Sequence, residues 1–392
     1  MRTAVTTGFA TDIEIARRVL AHIDAGTTDE GEPWREPVAH YLDPVRFGEE
    51  LALLRSLPSV FVPSAAIPAA GDHVARTAFG VPLFAVRDRD GRARVFRNAC
   101  RHRGVAVVEG SGCARALVCP YHGWTYRLDG SLAHVPHADA FPDLDVERRG
   151  LVEVPSDEVD GLIVIGGVEP TATGRPDLET LTGGRLWHDV LGPGLRVIDV
   201  GTTPTPMSWK VLVEQFLEGY HIRSTHRETF FPVQYDDLNV VEFVDHHARV
   251  TYPYRNIERL RDRPEPAWTV RARVTFVYHV FPNVMVATFP GQVSVIVVDP
   301  IDVAHSRLTT YTLTERAPGE RPVSTQSDGG RSLRVLAARE DNAMSLGVQG
   351  GLASGANAFL EFGRHESAIG HFHRNLTALL RPPNAVRVPT PR

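Results

Sequence analysis

Two short clusters of thiol and imidazole could do chemistry: Cys100 with His102, spaced Cys-x-His, and Cys119 with His122, spaced Cys-x-x-His, with sixteen residues between the clusters. Thiolate and imidazole together are a strong donor set for a metal. Histidine is only 17 of 392 residues, so finding one beside each of these cysteines is a rare coincidence. Zinc fingers pair Cys with Cys on one knuckle and His with His on a helix. Here each knuckle offers one of each, in a turn context. That suits a binuclear cluster in which one iron takes both thiolates and the other both imidazoles, a [2Fe–2S] centre of raised potential. Cys113 fits neither knuckle and reads as a small buried or half-buried thiol. Three cysteines in so long a chain exclude a disulfide framework.

His221 and His226 form a second donor group. Five residues on a regular helix are about 140° of rotation, so the pair can share a metal only if the helix breaks or bulges between them. Gly219 and the run Arg223-Ser224-Thr225 permit that. Two imidazoles and one distant carboxylate would make a facial triad with open positions, the arrangement of non-haem Fe(II) oxygenases.

The elements that must position these groups differ between the two halves. From about Pro58 to Gly167, short alternating runs are split by turn signals such as DRDG and RLDG, which reads as a small all-β domain. The Pro/Gly/Thr segment VEPTATGRPD is the expected boundary. Beyond it, MSWKVLVEQFLEGYH places Trp209, Val213, Phe216, Leu217 and Tyr220 at helical spacing. Strand-like runs follow, then an exposed loop at RPVSTQSDGG, then an amphipathic pattern from about Arg331 to Leu380. The fold class is α+β: the all-β domain plus a curved antiparallel sheet gripped by helices. Residues 10–24 put Ile13, Ala16, Leu20 and Ile23 on one stripe of a peripheral helix, with Thr11 as its N-cap. The expected division is 1–40, a helical segment packed on the catalytic domain; 41–168, the cluster domain; and 177–392, the catalytic domain.

Composition narrows the partners. Lys+Arg 42 against Asp+Glu 47 gives a net charge of −5, which argues against nucleic acid and against an anionic membrane surface. Neither a signal-type start nor a run of about eighteen apolar residues occurs, so a soluble cytoplasmic protein is expected. Lys210 is the sole lysine.

NACRHRG over 98–104 and CPYHGWTY over 119–126 resemble the Rieske signature. From about Tyr41 to Leu380 the chain resembles the Rieske non-haem iron oxygenases, the ring-hydroxylating dioxygenase alpha subunits and their monooxygenase relatives. That family's second motif is an acid, two positions, His, four positions, His; Glu218, His221 and His226 occupy it, with Tyr220 in place. FPN at 281–283 resembles a family strand, and REDNAMSLGVQGGL from Arg339 resembles the segment that donates the third ligand. The resemblance implies a [2Fe–2S] cluster on Cys100, His102, Cys119 and His122. It also implies a mononuclear Fe(II) on His221, His226 and Asp341, with the adjacent Glu340 as the alternative carboxylate. Glu218 would be a bridging acid between the two centres, or else a plain hydrogen-bond acceptor for His221. Glu218 and Gln215 depart from the family, where many members carry Asp and Asn.

The activity so implied is that of a terminal oxygenase: O₂ and a small organic substrate are its reactants, and the outcome is mono- or dihydroxylation or oxidative demethylation. The chain has no four spare cysteines for a second cluster and no dinucleotide fingerprint, so a separate NAD(P)H-dependent reductase, with or without a ferredoxin, should supply electrons. A homotrimer is implied as well. Phe216, Phe230 and Phe231, together with Phe276, Tyr278 and Val280 on one strand face, suggest an apolar, aromatic-accepting pocket, and core packing explains the same residues equally well. His246, His247, His371 and His373 read as surface or helix-face residues. The competing reading is a Rieske electron-transfer or sensing protein without oxygenase activity.

Overall fold

The computed structural model describes residues 8–169, 190–315 and 326–380. Most of VEPTATGRPD and the first half of RPVSTQSDGG lie outside them. In the first half a five-stranded antiparallel sheet, a three-stranded sheet and a small three-stranded sheet enclose the two knuckles. DRDG joins strands Val81–Arg87 and Ala93–Arg97, and RLDG joins Thr125–Tyr126 to Leu132–His134; Gly91 and Gly130 take the positive φ that such turns need. In the second half a seven-stranded sheet runs, in spatial order, through 196–205, 305–314, 292–302, 284–289, 274–280, 247–253 and 240–244, antiparallel throughout.

Six helices matter here: α1, Asp12–Ala25; α2, Pro44–Ser56; α3, Trp209–Glu214; α4, Ile222–Thr225; α5, Gln326–Leu352; and α6, Ser367–Leu380. Thr11 caps α1 in a capping box with Glu14. The buried stripe of α1 is Ile15, Ala16, Val19 and Leu20, one step round from the expected one, and it packs on Val240, Ile257 and Leu260 of the catalytic half. The pattern from 331 to 380 is not one element: α5 starts earlier, at Gln326, within the expected loop, and Gly355 at φ 72 turns the chain into strand Phe359–Phe362 before α6. That strand pairs with Trp34–Pro37 and ties the two ends of the chain together.

The two halves share one apolar core. Val60, Phe61, Ile163 and Val164 of the first half belong to the same cluster as Leu212, Val213, Val295 and Val297 of the second. Arg76 of the first half also bonds the buried Asp299 of the second. A second, smaller cluster surrounds Cys100 and Cys119.

The lysine Lys210 is buried on α3, with its Nζ 2.6 and 2.7 Å from the two carboxylate oxygens of Glu50 on α2. Trp209 Nε1 donates to the same carboxylate at 3.1 Å. Burial pushes the Lys210 ammonium down and Glu50 opposes it. Removing one member of such a pair strands a charge in the core. Glu50→Ala is therefore expected to cost about 3–5 kcal/mol, read as a lower denaturant midpoint. The pair Glu50→Leu with Lys210→Met should recover most of the loss; equal loss in single and double variants would refute the account.

Candidate metal centres and active site

Both knuckles are built by one local device. The Cys100 carbonyl accepts from Gly104 N–H at 2.9 Å, and the Cys119 carbonyl from Gly123 N–H at 3.1 Å, with φ of 81 and 71 at these glycines. Each knuckle therefore closes through a glycine four residues after its cysteine, at a backbone angle other residues disfavour. Asn98 clamps the first loop, accepting from Val107 N–H at 2.8 Å and donating to the Val108 carbonyl at 2.8 Å. Tyr126 accepts from Arg101 N–H at 2.9 Å, and its hydroxyl lies 3.2 Å from Cys100 Sγ.

The four expected ligands come together. Cys100 and Cys119 are buried, and the His102 and His122 rings lie 4.6 Å apart, with His122 at the surface. Trp124 stacks on His102 at 5.0 Å. His102 Nδ1 is buried without a hydrogen-bond partner, an arrangement that a metal bond would satisfy. Burial pushes the Cys100 thiol up, so a bound cation is what would hold it as thiolate. The residues fit a [2Fe–2S] cluster. Cys113, by contrast, is exposed on the edge strand Ser111–Cys113, where too little packs over it to bury a side chain. Cys119→Ser is expected to abolish the cluster's visible absorption and reduced-state EPR signal while most of the mononuclear iron remains. A full cluster spectrum in that variant would overturn the assignment.

In the second half the helix expected over 209–221 stops at Glu214, and α4 forms the next helical turn. His221 and His226 cap the two ends of α4 instead of lying on one continuous helix, so both can face one point despite their spacing. Gly219 makes the approach possible: a Cβ there would meet Asn239 Oδ1 at 2.5 Å and the Tyr252 ring at 3.0 Å. Asp341 comes from α5. One ligand atom from each of His221, His226 and Asp341 lies within 4.8 Å of the others, the one such acidic, His or Cys group among the described residues.

The two adjacent acids separate by which ring nitrogen they face. Asp341 Oδ1 lies 2.9 Å from His226 Nε2 and 3.5 Å from His221 Nε2. Glu340 Oε2 lies on the other side, 2.8 Å from His226 Nδ1, and also accepts from Thr229 Oγ1 at 2.7 Å. Glu218 does for His221 what Glu340 does for His226, pairing with its Nδ1, and its second oxygen accepts the Tyr220 and His221 N–H groups. Carboxylates behind each ring fix its orientation and raise its basicity. Burial works against charging His221, but Asp341 and Glu218 outweigh it and push its pKa up to about 10. His226 is raised and Asp341 lowered by the same contacts. Protons and a metal compete for these Nε2 atoms, so metal uptake strengthens as pH rises.

A cavity of about 330 Å³ opens beside the triad. Phe216 and Phe230 line it, but Phe231, Phe276, Tyr278 and Val280 do not; the strand presents Thr275 and Val277 instead. Phe276 and Tyr278 face away, under the Arg249 guanidinium. A strand buried on both faces is apolar on both, so alternation could not say which face meets the cavity. His373 lies on a face of α6 as expected, but that face is buried, with its Nε2 2.8 Å from Glu214 Oε1; His247 is buried on a strand, where its Nδ1 accepts from Phe281 N–H at 3.1 Å. Thr229, which donates to Glu340, had no spacing signal that sequence reading could use.

Two family models match the chain in separate stretches: Rieske [2Fe-2S] domain over residues 59–153, and ring hydroxylating alpha subunit (catalytic domain) over residues 198–381. With both, the chain belongs to the Rieske non-haem iron oxygenases, the ring-hydroxylating alpha-subunit family. It is 32% identical over 213 residues to the carnitine monooxygenase oxygenase subunit of Escherichia coli (strain K12), covering 52% of this chain and 55% of that one. It is 26% identical over 298 residues to the chloroplastic choline monooxygenase of Spinacia oleracea, covering 73% and 64%. The chain thus spans about half the length of the carnitine relatives it matches. Among solved structures, a quaternary ammonium Rieske monooxygenase in complex with L-carnitine shares the fold at TM-score 0.75 and 23% identity, over 90% of this chain and 97% of that one. The structure of naphthalene 1,2-dioxygenase from Rhodococcus sp. bound to indole does so at TM-score 0.70 and 18% identity, over 94% and 98%.

Among the described residues, no helix is long and apolar enough to cross a membrane.

Proposed function

We propose that this chain is the oxygenase component of a Rieske monooxygenase acting on a small, alkylated organic substrate. The observation that carries the reading is the triad of His221, His226 and Asp341 opening on a cavity. A pure electron carrier has no use for either. When bound, the cluster supplies electrons and the Fe(II) supplies O₂ activation. The chain's own residues do the rest. His221, His226 and Asp341 would hold the ion, and the cavity beside them would receive the substrate. Glu218 and Glu340 hold the ligand rings by their Nδ1 atoms, and Phe216 and Phe230 keep water from the reacting carbon.

The overall change is the insertion of one oxygen atom into a C–H bond, with two electrons and two protons reducing the other to water. On an N-methyl group this gives oxidative demethylation. The similarity to carnitine and choline monooxygenases supports an alkylammonium substrate over an aromatic hydrocarbon, as does the turning away of Phe276 and Tyr278. Electrons would come from a separate reductase.

A ring of three chains is part of this reading. Tyr220 beside Glu218 is 65% exposed, Met344 on α5 is 56% exposed, and Tyr121 beside His122 is 52% exposed, so the rims of both metal sites present apolar surface outward. The test is reconstitution with a surrogate reductase under ¹⁸O₂. Three irons per chain are expected, with either a hydroxylated product carrying one labelled atom or formaldehyde in step with the demethylated amine; two irons, or O₂ uptake with neither kind of product from any alkylammonium compound, would overturn it.

A further inference from the structure

The proposed reaction consumes two protons, and the cavity that receives the substrate is a poor place to bring them in, since Phe216 and Phe230 shield it from water. A second cavity, of about 320 Å³, borders the triad by another route: Glu218, His221 and Asp341 line it, Phe216 and Phe230 do not, and Glu214 forms part of its wall. Behind Glu214 a line of buried titratable side chains runs to the surface, and neither metal site uses it. His373 Nε2 on α6 lies 2.8 Å from Glu214 Oε1, and His373 Nδ1 lies 3.4 Å from Glu36 Oε2. Glu36 Oε1, on strand Trp34–Pro37, lies 2.6 Å from His40 Nδ1. The side chains of His373 and Glu36 are 1% and 2% exposed, whereas that of His40 is 30% exposed. The line therefore has one end in water and the other at the second cavity.

We infer that His40, Glu36, His373 and Glu214 form a proton relay from the surface to the second cavity, supplying the proposed oxygenase reaction, on which the inference rests. Imidazole and carboxylate alternate along it, and each can take a proton on one atom and release one from another. His40 takes a proton from water and gives one from Nδ1 to Glu36 Oε1. Glu36 gives one from Oε2 to His373 Nδ1, His373 gives one from Nε2 to Glu214, and Glu214 gives one to water in the cavity. One proton enters for each that leaves, and rotation of the carboxyl groups and rings restores the starting arrangement. Trp34 Nε1 donates to Glu36 Oε2 at 2.8 Å and the Tyr41 hydroxyl donates to Glu214 Oε1 at 2.5 Å, so both acids are held toward His373. Burial, with Glu214 adding to it, holds the Tyr41 phenol well above its usual value, so it steers Glu214 and stays protonated. Lys210 and Glu366, which feel the charge of Glu214, lie beside the line and are not part of it.

The test uses the full chain loaded with both metals. In ¹⁵N-histidine-labelled protein the ring N–H signals of His373, identified by their loss in His373→Gln, should show saturation transfer from water although the ring is buried. His40→Gln should slow that exchange on the order of 10-fold with no change in peptide N–H exchange along α6. Glutamine there can still bond Glu36 but has no acid proton to pass, and the partly exposed position tolerates it. In single turnovers started from the reduced protein, Glu214→Gln and His373→Gln, compared with wild type at equal iron and cluster content, should lose on the order of 100-fold in the rate of product formation and be slowed further in D₂O than wild type is. An unchanged His373 exchange rate in His40→Gln overturns the relay and leaves the oxygenase reading intact, as does a wild-type rate with wild-type D₂O slowing in Glu214→Gln. If the wild-type protein forms no product while His373 exchange still depends on His40, the oxygenase reading falls and the path to the second cavity stands.

Discussion

His226→Ala is expected to lose product formation altogether while the visible spectrum of the cluster persists. His226 is 1% exposed and contributes one of three ligand atoms, with its Nε2 2.9 Å from Asp341 Oδ1. Two remaining protein ligands would hold Fe(II) poorly, and alanine leaves no donor to replace the third. Asp341→Ala should behave the same way. Glu340 gives the informative contrast, because it touches Nδ1 of His226 and not the side facing the ion. Removing an outer partner of a metal-bound imidazole costs 10- to 100-fold, so Glu340→Ala should weaken iron retention by about that factor without abolishing it. Iron content and labelled product after equal reconstitution read both effects. If Glu340→Ala strips the iron and Asp341→Ala keeps it, the carboxylate is off by one residue.

How much of this could be read before the fold was known depended on the range of the interaction. The knuckles were legible because each is a closed local turn: cysteine, histidine and the positive-φ glycine lie within five residues, so spacing alone encodes the geometry. The DRDG and RLDG hairpins were legible for the same reason. The pairing of His221 with His226 was legible only as a puzzle, since the solution lay in helix ends at Glu214 and His226 that helical periodicity does not mark. Choosing between Glu340 and Asp341 needed to know which ring nitrogen each acid meets, a contact across more than a hundred residues. The facing of the strand at 274–280 was beyond reach for a different reason: with both faces buried, its apolar pattern has no preferred side, and the aromatic pocket inferred from it went to the wrong face.

Mixed assemblies of Cys119→Ser chains and His226→Ala chains are expected to regain activity that neither parent has. Within one chain the cluster ligands sit in their own apolar cluster, apart from the core that carries the catalytic sheet. His122 is exposed there, and Glu218 lies at the surface rim of the triad beside the exposed Tyr220. In a ring of three, the exposed His122 of one subunit would meet Glu218 of the next. A carboxylate between two metal-bound imidazoles can accept an N–H from each and fix both rings. Cyclic symmetry makes every interface the same, so an equal mixture has a sound cluster facing a sound iron at roughly a quarter of its interfaces, and roughly a quarter of the wild-type rate should return. Trimers are first isolated by size so that assembly failure is not mistaken for inactivity. If such mixed trimers stay as inactive as their parents, electrons pass within one chain and the ring arrangement is wrong. Glu218→Ala supplies the second arm: compared at equal iron content, since it should also weaken iron retention as Glu340→Ala does, it should slow oxidation of the reduced cluster under O₂ and substrate, and a wild-type rate there would remove the bridge even if the mixed trimers recover.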